Sequence, residues 1–244
     1  MGLKTILFIN SCKMLSIRNL KLIAHELKEH VPFTAFGAIT GVIFMLIFRH
    51  IGSSASHTLF AIFHPGHVLL SAMVTAAMFK LHRKHTKLWV VLIVGYVGSI
   101  GVATLSDSIM PYFGEEVLGL HIPSEHEVHE SHHSPEAPAK HSHTGEIHLG
   151  FIEEWYLVNP AAILGVLIAW RLPRTKVTHA GHILISTWAS SAHVLMTTQN
   201  EITFAVSMSM LAVLFLSVWL PCCISDIIFP LLLTDEPAPH KCCM

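Results

Sequence analysis

Residues 55–81, ASHTLFAIFHPGHVLLSAMVTAAMFKL, constrain this chain more than any other stretch. The run is long enough to cross a bilayer, because a spanning helix needs roughly 20 mostly apolar residues. It nevertheless carries His57, His64 and His67. At about 100° per residue, His57 and His64 fall within roughly 20° of one another and His67 about 60° further round, so the three share one stripe of one helix. Ionisable residues in a membrane helix are costly, and they face the bundle interior, where they pair, bind or relay. The run therefore predicts a helix turned inward for a chemical reason.

The rest of the chain supports that setting. A mean hydropathy of +0.57 and 13% charged residues over 244 positions are too apolar and too charge-poor for a soluble domain. No Walker loop, dinucleotide fingerprint or basic–aromatic array occurs, so a nucleic-acid partner is not expected. The expected fold is an all-α integral membrane protein, a bundle of about six transmembrane helices with the lipid bilayer as its main partner. Spans are expected at about 32–51, 55–81, 88–110, 154–171, 178–198 and 202–220. Residues 1–31 read as a cytoplasmic amphipathic segment lying on the membrane surface. Residues 32–111 carry helices one to three, residues 153–234 helices four to six, and residues 235–244 a cysteine-containing tail. Gly37 and Gly41 form a GxxxG pair that permits close helix contact. Pro65 favours a kink in the histidine helix, and Pro221 a break or a bend in the last.

Between helices three and four lies a polar stretch, about 112–152. Within it, His121, His126, His129, His132, His133, His141, His143 and His148 alternate with glutamates and three prolines. Such a segment cannot bury a core and reads as a disordered, ion-concentrating loop. Every basic residue except Arg49 and Lys140 lies before span one, between spans two and three, between spans four and five, or after span six. The positive-inside rule makes that side cytoplasmic. Both termini are then inside, the histidine-rich loop is extracytoplasmic, and the plasma or inner membrane is the expected location.

Candidate ligands are read from depth. In this topology His57 lies at the outer surface, and His64 and His67 lie roughly 10 and 15 Å below it. His193 lies roughly 20 Å from the cytoplasmic end of its own helix. His64, His67, His193 and Asp107 are expected to meet in the outer half of the membrane, with Asp107 one turn from the end of its span. Imidazoles with a carboxylate suit a borderline divalent ion such as Zn, Ni, Co or Fe(II). A second, inner site is expected from His179, His182 and Asp226 with Cys222 and Cys223. His240, Cys242 and Cys243 would form a mobile soft-ligand tail. None of the five cysteines falls in a segment expected on the extracytoplasmic side, so reduced thiols are expected rather than a disulfide framework.

These features point to a membrane protein that binds, and by extension transports, a divalent transition metal. One alternative is a b-type haem redox protein, with His64 or His67 and His193 as axial ligands. Another is a membrane-embedded metal-dependent hydrolase, which the absence of an HExxH motif disfavours.

Overall fold

The computed structural model describes residues 30–83, 86–118, 154–173, 176–198 and 203–224, with isolated positions at 27, 28, 152 and 229. Among them are six helices and no strands: α1 (His30–Phe48), α2 (Ser53–His82), α3 (Leu88–Val117), α4 (Trp155–Arg171), α5 (Lys176–Thr198) and α6 (Phe204–Cys223). The amphipathic N-terminal stretch, the histidine-rich loop centre, Asp226 and the cysteine tail lie outside the described residues.

Four helices, α1, α2, α3 and α6, are long and apolar enough to cross a membrane. Helix α4 has only 17 residues. Helix α5 has 23, but its sequence includes three histidines and three serines. Phe33, Phe36, Ile39, Ile43 and Ile47 of α1 and Trp89, Ile93 and Val97 of α3 are exposed. The inside is polar: Ser71, Thr75, Ser106, Asp107, Ser186, Ser190 and five histidines are at most 3% exposed. An apolar shell around a polar interior is what lipid as solvent selects.

Lipid gives little hydrophobic drive for helix association, so close packing at small residues must hold the bundle. Helix α2 is central and packs along α5, α4 and α3. On α4, a methyl group at Gly165 would collide with the Leu69 carbonyl of α2. On α1, a methyl group at Gly41 would stand 2.8 Å from the Ser191 hydroxyl of α5, and Gly37 faces Ile183 and Thr187. The GxxxG pair thus seats α1 against α5. Some buried hydroxyls are satisfied locally: Ser190 and Ser191 donate to the carbonyls of Ser186 and Thr187, four residues back.

Helix α2 continues through Pro65, and α6 continues through Pro221 to Cys223. One local expectation is corrected. Helix α3 does not stop near residue 110 but continues to Val117, across a π turn at Leu105–Ile109. Asp107 is therefore an interior residue of a 30-residue helix rather than its terminus, and residues 112–117 are helix rather than loop. The apolar residues Ile109, Met110, Tyr112 and Phe113 carry the helix on, with Pro111 tolerated in the first turn after the π segment.

Candidate metal centre

Four helices converge at mid-bundle. Helix α2 supplies His64 and His67, one turn apart on its buried face. Helix α3 supplies Asp107 from its π turn. A π turn admits one extra residue and appears frequently at functional sites. Here it lets Ser106, Asp107 and Ser108 all be fully buried. Helix α5 supplies His182 and Ser186, and α6 supplies Cys222 from its last turn.

Asp107 is the hub. Its Oδ2 lies 3.0 Å from His64 Nδ1 and 2.6 Å from His67 Nδ1. Its Oδ1 accepts from the hydroxyls of Ser106 at 2.7 Å and Ser186 at 3.2 Å. Both carboxylate oxygens are thus occupied by donors. The opposite nitrogen of His67, Nε2, lies 2.7 Å from His182 Nε2, and the two rings stack with centroids 4.6 Å apart. Cys222 Sγ lies 3.5 Å from that same His182 nitrogen. One donor atom each from His67, His182 and Cys222 falls within a sphere of mutual distances no greater than 4.8 Å.

These distances can be compared with a tetrahedral ion. Zn–N bonds of about 2.0–2.1 Å and Zn–S bonds of about 2.3 Å imply N···N near about 3.3 Å and N···S near about 3.6 Å. The sulfur distance already fits, and the two imidazoles need to part by about half an ångström. Within hydrogen-bond reach as they stand, they share a proton that an ion would displace. The carboxylate behind His67 fixes its tautomer, leaving Nε2 toward the shared point, as second-shell carboxylates do for metal-bound histidines.

The residues expected from sequence are distributed as follows. His64, His67 and Asp107 come together, as expected. His193 does not join them: its Nδ1 lies 3.8 Å from Glu115 Oε1, and Phe60 packs against the rings of both His193 and His64. His57 is exposed near the start of α2. His179 is half-buried, edge-on to His30 at 4.4 Å and 6.2 Å from His182. His182 and Cys222, expected in a separate inner site, meet His67 instead. Asp226 lies outside the described residues. The expected depths failed because they were counted from helix ends assumed level. His67 is about 22 Å from the end of α2 and His182 about 9 Å from the start of α5, so the two ends are staggered by more than two turns.

Two further buried polar groups were missed. Glu115 is fully buried, and it escaped notice because α3 was ended too early. Ser186 is not among the expected site residues, although it lies one turn beyond His182 on the same face and so points at whatever that histidine meets.

Comparison with protein-family models, with curated proteins and with solved structures finds no match to this chain.

Proposed function

We propose that this protein carries a divalent transition metal ion across a membrane, binding it at His67, His182 and Cys222. The observation that carries the reading is the convergence of those three donors, all at most 2% exposed, at the centre of a bundle whose outer helices are apolar. A nitrogen–sulfur donor set favours Zn, Co, Ni or Fe(II) over the oxygen-seeking Mg and Ca. Three protein ligands leave one coordination position open, as in reversible or catalytic sites and unlike closed structural ones. In this reading Asp107 is not a ligand; it orients His67 and balances the ion's charge.

The same reading assigns the other polar groups to the approaches. Lys80 on α2 donates to the Trp170 carbonyl on α4 and stands over the Trp170 ring, so the basic ends of these two helices lie together. The positive-inside rule makes that side cytoplasmic. Six spans, two cytoplasmic termini and an extracytoplasmic histidine-rich loop in a plasma or inner membrane follow from it. His193 and Glu115 then line the loop-side approach, and His30 and His179 the cytoplasmic one. The exposed His57 sits nearest the loop, where it feeds ions inward, and Asp226 belongs to the cytoplasmic exit.

A hydrolase would use the open position to activate water. The centre is buried too completely for a bulky substrate, which favours an ion alone. The haem alternative finds no support: the stacked His67 and His182 rings leave no porphyrin's space between them, and Phe60 packs on both His64 and His193.

The purified protein, reconstituted into liposomes loaded with a zinc-sensitive dye, is expected to admit zinc at a rate that saturates with concentration. His67→Ala is expected to fall to the rate of empty liposomes. Equal rates for wild type and His67→Ala would overturn the proposal.

A further inference from the structure

The two halves of the chain repeat each other. AITGVI at 38–43 on α1 matches AILGVL at 162–167 on α4. HPGHVLLS at 64–71 on α2 matches HAGHILIS at 179–186 on α5. SDSIMP at 106–111 matches SDIIFP at 225–230, and the three pairs occur in the same order. Each unit therefore has three helices. An odd number inverts the second unit relative to the first, as in inverted-topology transporters.

The geometry agrees wherever equivalent positions meet. His67 and its counterpart His182 touch one another at Nε2. A methyl group on Gly66 would stand 3.6 Å from Ile185, and one on Gly181 would stand 3.5 Å from Leu70. In the repeat Gly66 corresponds to Gly181 and Leu70 to Ile185, so the two contacts are the same contact made twice. Such reciprocity is the mark of a two-fold axis, and it shows α2 and α5 crossing antiparallel. Helix α1 of the first unit packs by Gly41 on α5 of the second, while α4 packs by the matching Gly165 on α2. Leu105, where the π turn begins, corresponds to Ile224, which is itself in π conformation.

Among the described residues, the symmetry is broken at Ser71 and at Ala103. Ser186 donates to Asp107, while its counterpart Ser71 is fully buried with its hydroxyl unbonded. Cys222 faces His182, while the position matching it in the first unit, by the register of the SDxIxP motifs, is Ala103. Ala103 is fully buried and packs with Val68, the neighbour of His67.

We infer that the chain is an inverted duplication whose pseudo-two-fold axis passes between His67 and His182, and that position 103 is a latent ligand position equivalent to Cys222. Only the ligand part of this inference rests on the metal reading. A site on such an axis stands equally close to both units, so rocking one unit against the other would open it to each side in turn.

The test moves the thiol across the axis. One equivalent of Co(II) is added to the purified full-length protein, and the thiolate-to-cobalt charge-transfer band is recorded. Wild type is expected to show the band and C222A to lose it. A103C/C222A is expected to regain at least half its intensity, and A103S/C222A none. A folded A103C/C222A without the band would overturn the latent position. An absent band in wild type would instead overturn the metal reading. The duplication has its own test: G66C/I185C and L70C/G181C are expected to cross-link on oxidation at rates within a few-fold of each other, whether or not metal binds or A103C/C222A folds. Cross-linking of one pair alone would overturn it.

Discussion

Replacing His182 by alanine is expected to abolish tight binding of the first equivalent of zinc, weakening it by more than about 100-fold. That is beyond the range seen for loss of a second-shell partner, because a direct donor is gone. His182 touches both other donors: its Nε2 lies 2.7 Å from His67 and 3.5 Å from Cys222. The change also removes a fully buried ring stacked on His67, so a loss of about 2–3 kcal/mol of stability is expected from the cavity. Titration of the detergent-solubilised protein against a zinc-chelating dye, with a thermal melt in the absence of metal, separates the two effects. Unchanged affinity at the first equivalent would remove His182 from the site. Weak binding at the histidine-rich stretch 121–148 is expected to persist, since eight further imidazoles lie there.

Asp107→Asn should lower zinc affinity about 10–100-fold while leaving expression and fold near wild type. The amide keeps the shape and one good acceptor. Its oxygen can stay with the His64 and His67 nitrogens. Its NH2 then faces the hydroxyls of Ser106 and Ser186, which can turn to accept. What is lost is the negative charge 2.6 Å from the back of a metal-bound imidazole. Asp107→Ala removes the acceptor of four buried donors at once. Each orphaned donor costs about 1–3 kcal/mol, so that variant should fail to accumulate as a folded protein. Titration and expression yield check the pair. Equal behaviour of Asn and Ala would mean that Asp107 does not organise the centre.

Much of this arrangement was legible in the chain itself. Apolar runs of spanning length gave six helices whose observed bounds differ by only a few residues at most ends, and the stripe that includes His64 and His67 showed which face of α2 turns inward. The pairing of α2 with α5 followed from the expected meeting of His64 and His67 with His193. Depth was not legible, because a sequence carries no record of how far one helix slides past another. Three donors were consequently assigned to two places when their side chains meet at one. The π turn was equally hidden: nothing in LSDSI forbids an ordinary turn, and the extra residue is held in place by tertiary bonds from His64, His67 and Ser186 to Asp107. The repeated HxGH and SDxIxP motifs were available all along. Aligning the halves would have placed His182 opposite His67 without any estimate of depth.

The central claim is that one buried ion is held by two imidazoles and one thiolate. Zinc-edge X-ray absorption on the full-length protein at one equivalent of zinc tests it most directly. The account predicts one sulfur near about 2.3 Å and two or three nitrogen or oxygen neighbours near about 2.0–2.1 Å, with the sulfur lost in Cys222→Ser. A first shell without sulfur in the wild type, or a sulfur shell that survives Cys222→Ser, would contradict it.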